Sequence, residues 1–237
     1  MPLYRRILLK LSGEALAGDG KAPLDPDVLD RVATEIKEVL DLGVQVAVVV
    51  GGGNFLRGAT LAGISRVTGD SLGMLATVMN ALALQDVLER DGVAARVLSA
   101  IPMPNVCEPF NARQARGHLD AGRVVLCAAG TGNPFFTTDS AAALRAIEVG
   151  AEVLFKATKV DGVYDQDPVD NPNAIRFSHL TYAEALSRKL GVMDLTAIVL
   201  CQEHNLPVRV FQMSASGSLY RAVTSLNEGT LMDQGDQ

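Results

Sequence analysis

Residues 44–54 read VQVAVVVGGGN. The first seven are apolar almost without interruption, the pattern of a strand buried on both faces in a parallel sheet. Three glycines then leave backbone N–H groups exposed and permit positive φ, which makes an anion nest of the strand exit. Upstream, Asp25-Pro26 predicts an N-cap with proline at the first helical position. Val28, Leu29, Val32, Ile36, Val39 and Leu40 follow on one helical face, and Gly43 ends that helix. Before it, Arg6–Leu11 is a strand. Downstream, a helix over about Leu72–Glu89 ends near Asp91-Gly92, and strands follow at about Ala95–Leu98 and Val124–Ala129. A helix over Ser140–Val149 stops at Gly150, and Val153–Lys156 is the next strand. Thr181 with Glu184 forms a capping box for a helix to about Leu190. A helix over about Met193–His204 leads into strand Val208–Phe211. This alternation implies an α/β fold, a mostly parallel sheet with helices on both faces. No linker interrupts it, so residues 1–237 are expected to form one domain.

The bulk numbers narrow the function. The chain is 48% apolar and 20% charged, with a net charge of −6 and no long basic run, which disfavours nonspecific nucleic-acid binding. No stretch approaches the roughly 20 apolar residues of a membrane span, and the N-terminus lacks a signal-peptide pattern. No membrane partner and a cytoplasmic location are therefore expected. Cys107, Cys127 and Cys201 are far apart and read as reduced core thiols. His118, His179 and His204 share no spacing, so neither a zinc site nor a histidine triad is expected.

In an open parallel sheet, ligands sit beyond the carboxyl ends of the strands. The first strand exits into Lys10-Leu11-Ser12-Gly13-Glu14, where a lysine ending a buried strand calls for an anion unless it lies at an edge. The second exits into Gly51–Gly53, then Asn54, Arg57 and Gly58; Arg57 can fork a phosphate. The strand ending near Ala129 exits into TGNPFFTTDSAAA, residues 131–143. Gly130 and Gly132 open the backbone there, and a helix N-terminus behind Thr137, Thr138 and Asp139 is a natural seat for a phosphate. Asp139 either caps its helix or sits beside Lys10 or a magnesium ion. Asp70 and Asp194 are N-caps or site carboxylates. The strand at Val153–Lys156 exits into a long irregular stretch, about Thr158–Ser178. Thr158, Tyr164 and Asp167 there suit a base and ribose, or merely a solvated turn. Two glycine-rich anion sites, a lysine, an arginine and several carboxylates at the ends of one sheet are the inventory of in-line phosphoryl transfer.

The segments KLSGE, GGGN, GDSLGMLATVMNALA, AGTGNPFFTTDSAA, KATKVDGVYDQDP and VMDL resemble those of bacterial-type uridylate kinases, in the amino acid kinase superfamily. The resemblance covers about residues 4–231. It implies a three-layer α/β/α sandwich around about eight mainly parallel strands. It also implies transfer of the ATP γ-phosphoryl group to UMP with Mg²⁺, and a homohexamer activated by GTP and inhibited by UTP. It places Lys10, Leu11, Ser12 and Gly13 on the ATP phosphates, and Gly53 and Arg57 along the phosphate path. Thr158, Tyr164 and Asp167 would hold the adenosine. Gly52, Asp70, Thr131, Gly132, Asn133, Pro134, Phe135, Phe136, Thr137 and Thr138 would hold UMP. Lys10 would stabilise the transferring group, with Asp139 and Asp194 organising lysine or metal.

Overall fold

Strands β1 (Arg6–Leu11) and β2 (Gln45–Val50) pair in parallel along their whole length, Arg6 opposite Gln45 and Leu11 opposite Val50. Every residue of β1 is buried, as a strand covered on both faces requires. Alternation divides it: Ile7, Leu9 and Leu11 join one core, Leu8 the other. The computed structural model describes residues 1–18, 22–56, 63–213 and 216–235. Arg57 and Gly58 lie outside them.

The remaining strands are β3 (Ala95–Ser99), β4 (Glu108–Pro109), β5 (Val124–Ala128), β6 (Val153–Thr158), β7 (His179–Thr181), β8 (Val208–Gln212) and β9 (Thr230–Asp233). They form one sheet in the order β4-β3-β5-β2-β1-β6-β8-β9-β7. Every pairing is parallel except β8 with β9. Helices α1 (Pro26–Leu40), α2 (Arg66–Arg90) and α7 (Ser218–Thr224) supply one core layer. Helices α3 (Ala112–Asp120), α4 (Thr138–Val149), α5 (Tyr182–Ser187) and α6 (Leu195–Glu203) supply the other. The architecture is the expected α/β/α sandwich, with nine strands. Because β1 lies between β2 and β6, the chain order reverses there, and the crevice beyond the ends of these three strands is where such sheets bind ligands.

Local signals held where they were strong. Asp25 accepts from Asp27 N at 3.0 Å and Val28 N at 3.4 Å, with Pro26 at the first position. Gly150 ends α4 at φ 72°, and Thr181 with Glu184 closes a capping box, although α5 stops at Ser187. Helices α3 and α7 and strands β4, β7 and β9 were not legible. Helix α3 buries only Ala115 and Leu119, too few for a periodicity, and the strands have two to four residues. Helix α2 corrects two expectations. It begins at Arg66, capped by Ser65, so Asp70 is neither before the helix nor its cap. Its 25 residues are also long and apolar enough to cross a membrane by length and composition. Scattered Thr, Ser, Asn and Gly hide that average, and the helix packs on β2, β3, β5 and α1.

Candidate active site

Lys10 and Lys156 stand at the same register of neighbouring strands, partners across β1 and β6. Paired residues in a parallel sheet project to the same face, here the face covered by α4. Asp139, in the first turn of α4, meets both. Lys156 Nζ donates to Asp139 Oδ2 at 2.8 Å and to the Val192 carbonyl. Lys10 Nζ lies 2.8 Å from Asp139 Oδ1 in an ion pair. All three side chains are at least 85% buried. Burial opposes the Asp139 charge, but Lys10 and Lys156 outweigh it and hold the carboxyl below its ordinary range. Burial lowers the Lys156 ammonium, Lys10 lowers it further, and Asp139 opposes them. The cluster carries one positive charge in excess, which makes it a receiver for a phosphoryl group. Asp139 is thus not the helix cap. Thr137 is, accepting from Asp139 N at 3.1 Å and Ser140 N at 3.3 Å.

Asp194 does other work. It caps α6 through Ala197 N at 2.9 Å. It also accepts from Ser140 N at 3.2 Å and from the hydroxyls of Ser140 and Thr137. Its hydrogen bonds bind α6 to the start of α4 and do not reach either lysine. At this helix N-terminus the Asp194 carboxylate thus takes Ser140 N, while Thr138 lines a cavity.

Two cavities flank the cluster. The first, about 560 Å³, includes Lys156, Thr158, Tyr164, Asp167 and Val192 in its walls. The Thr158 hydroxyl donates to Val160 O at 2.6 Å. Asp167 Oδ1 accepts from Val169 N at 2.9 Å, and the Tyr164 hydroxyl donates to Asp161. That bond, with burial, raises the Tyr164 hydroxyl above its ordinary value. The irregular stretch is pinned here by a bridge between Tyr164 and Arg176. The second cavity, about 280 Å³, lies where β2 and β5 end. Gly52, Gly53, Arg66, Asp70, Thr131, Asn133, Phe136, Thr137 and Thr138 line it, whereas Gly132, Pro134 and Phe135 do not. Of the cluster only Lys156 lines a cavity, the first; Asp139 is its ion-pair partner and follows Thr138 of the second. Leu11 and Ser12 border a third cavity, beside Arg31 and Lys159. Gly53 opens on the second cavity rather than the first.

At the β2 exit Gly52 serves close packing. None of Gly51, Gly52 and Gly53 has positive φ, against the expectation of a positive-φ nest. A Cβ on Gly52 would lie 2.6 Å from Gly73 O and 2.9 Å from Ala76 Cβ, and one on Gly13 would lie 2.6 Å from Gly51 O. The loop needs glycine to fit between α2 and the β1 exit. Asn80, fully buried, holds it by donating to Gly51 O at 2.6 Å and pairing with Asn54. Positive φ appears instead at the β5 exit, in Ala129, Gly130, Gly132 and Phe135. Thr77 braces that exit by accepting from Ala129 N at 2.8 Å.

A model of the amino acid kinase family matches residues 5–212. The chain belongs to the amino acid kinase family. Within it, the chain is 57% identical over 236 residues to a uridylate kinase of Coxiella burnetii, covering 99% of this chain and 97% of that one. It is 60% identical over 231 residues to a uridylate kinase of Saccharophagus degradans, covering 97% and 94%. A solved UMP kinase of Bacillus anthracis superposes with a TM-score of 0.96 at 38% identity, covering 100% of this chain and 98% of that one.

Sequence reasoning missed Lys156 as a member of the cluster. Its signal was the one that exposed Lys10, a lysine at the end of an apolar strand. Arg66, which lines the second cavity, gave no signal beyond an i,i+4 spacing to Asp70.

Proposed function

We propose that the chain transfers the γ-phosphoryl group of ATP to UMP, giving UDP and ADP reversibly, in pyrimidine nucleotide biosynthesis toward UTP and CTP. The observation that carries this is the Lys10–Asp139–Lys156 cluster beside two cavities of unequal size, in a chain so similar to proteins described as uridylate kinases. ATP occupies the larger cavity, its adenosine near Thr158, Tyr164 and Asp167. The resemblance assigns Lys10–Gly13, Gly53 and Arg57 to the phosphates. UMP occupies the smaller cavity, against Gly52, Asp70 and the Thr131–Thr138 loop.

An oxygen of the UMP phosphate attacks the γ-phosphorus, that P–O bond forms, and the bond to the β-bridging oxygen breaks as ADP leaves. The attacking oxygen is already anionic at neutral pH, so no general base is required. Lys10 and Lys156 neutralise charge on the transferring group, and Asp139 fixes both ammoniums. Asp194 acts through Thr137 and Ser140 as a positioning residue. Mg²⁺ enters with ATP as part of the substrate. Among the described residues no group of three His, Cys, Asp or Glu side chains forms a metal cage. That magnesium ion would supply positive charge to the phosphates of the nucleotide.

A homohexamer of single-domain subunits, cytoplasmic, activated by GTP and inhibited by UTP, completes the proposal on the strength of the resemblance. ADP release measured with UMP, CMP, carbamate and aspartate as acceptors, with and without GTP and UTP, tests it. Turnover of UMP above the others is expected; turnover of a carboxylate and not of UMP would overturn it.

A further inference from the structure

One carboxylate ties the start of α2 to the Thr131–Thr138 loop. Arg66 Nε donates to both oxygens of Asp70, at 2.8 Å each. Phe135 N donates to Asp70 Oδ2, also at 2.8 Å. Phe135 sits at φ 73°, a conformation that costs a non-glycine residue on the order of 1–3 kcal/mol and persists only where the surroundings hold it. The Arg66 guanidinium carbon lies 6.0 Å from the Phe135 ring centroid. An exposed i,i+4 ion pair stabilises a helix by only about 0.3–0.5 kcal/mol, so the main effect of Arg66 is on geometry. A carboxylate offers about four lone-pair sites. Among the described residues, the shared Arg66 Nε–H and Phe135 N face three of them, which leaves one, on Oδ1. The Asp70 side chain is 16% exposed, and both Asp70 and Arg66 line the second cavity.

We propose that Arg66 is a positioning and specificity-determining residue for the acceptor nucleotide: by engaging Asp70 edge-on, it leaves that carboxylate a single free acceptor site, on Oδ1, for one sugar hydroxyl. This rests on the reading of the second cavity as the UMP site. Without Arg66 the carboxylate turns about its last torsion and accepts from either hydroxyl, so binding weakens and selectivity between the hydroxyls is lost.

Steady-state kinetics of the full chain with ATP and UMP, 2′-deoxy-UMP or 3′-deoxy-UMP test this in wild type, Arg66→Gln, Arg66→Lys, Asp70→Asn and the Arg66→Gln/Asp70→Asn double variant. In wild type, deleting one hydroxyl should lower kcat/KM at least about tenfold and deleting the other less than about threefold. Arg66→Gln should raise KM for UMP about five- to tenfold and level that preference, with kcat and KM for ATP within about twofold. Arg66→Lys should restore part of the preference and also serves should Arg66→Gln fold poorly, which thermal melting reports. In the Asp70→Asn background, Arg66→Gln should add less than about twofold. Equal sensitivity of wild type to both deletions, an unchanged preference in Arg66→Gln, multiplicative effects in the double variant, or a parallel loss in kcat and ATP affinity would each overturn the inference. Absence of UMP turnover by wild type would instead overturn the reading of the cavity.

Discussion

Lys156 and Asp139 join two elements far apart in sequence, the β6 ammonium donating at 2.8 Å to the α4 carboxylate. Lys10, the register partner of Lys156, takes the other oxygen side. If both ammoniums meet the transferring phosphoryl group, neither is dispensable. Lys156→Ala and Lys10→Ala should each lower kcat by about 10²-fold or more while KM for UMP and ATP changes little. Rapid-quench or coupled-assay kinetics on variants with native melting profiles check this, and near-normal turnover in either removes that lysine from the mechanism.

The alkaline limb of the activity profile should report Lys156. Its pKa is lowered from the ordinary 10.5, chiefly by burial, and the neutral amine no longer stabilises developing negative charge. Activity should therefore fall as pH rises at a value below that of a free lysine. Lys156→Arg, whose guanidinium stays protonated, should shift the limb upward whatever its absolute rate. Superimposable limbs in normalised kcat profiles would contradict the assignment.

Asp139→Asn leaves two buried ammoniums facing each other, a loss on the order of 3 kcal/mol at neutral pH. The folded-state pKa of Asp139 is lowered from 3.8, burial opposing and the two lysines prevailing. Its contribution to stability is thus fully present above the ordinary carboxyl value and lost as pH falls through the lowered one. The Tm gap between wild type and Asp139→Asn should be full above the ordinary carboxyl value of 3.8 and close as pH falls through the lowered one. A gap independent of pH, seen by calorimetry, would place the effect elsewhere.

Much of this architecture was legible because its signals are local. The run at Val44–Val50, the Asp25-Pro26 cap and the Thr181–Glu184 box each depend on residues within one turn or one strand, and each appears as read. Lys10 was legible from a charge ending an apolar strand. Lys156 was not, because its role follows from register with Lys10, a pairing across 146 positions that no local pattern encodes. Asp70 was misplaced because α2 opens with Arg66-Val67-Thr68, a turn without an apolar stripe, capped by Ser65. Gly51–Gly53 were read as a positive-φ anion nest, whereas none has positive φ and Gly52 is glycine where α2 comes close. Asp194 was left between an N-cap and a site carboxylate; it caps α6, and its second attachment, to Ser140 and Thr137, is a tertiary contact.

That attachment makes Asp194 separable from the lysines. Asp194→Ala removes the α6 cap and three bonds to the start of α4, which should cost about 1–3 kcal/mol of stability. The kcat loss should be smaller than that of Lys156→Ala, since Asp194 hydrogen-bonds the start of α4 and acts on Lys156 only through its charge. Thermal melts beside kinetics distinguish the cases: a stable variant with a loss as large as Lys156→Ala would make Asp194 a direct participant.

The central claim is that the Lys10–Asp139–Lys156 cluster lies between a donor and an acceptor nucleotide. A crystal structure of the chain with UMP and a non-hydrolysable ATP analogue tests it most directly. UMP should lie against Asp70 and the Thr131–Thr138 loop, and the adenosine beside Tyr164. A γ-phosphate oxygen should then come within about 3 Å of both Lys10 Nζ and Lys156 Nζ. An adenosine seated in the Thr131–Thr138 cavity, or a γ-phosphate out of reach of both ammoniums, would contradict the account.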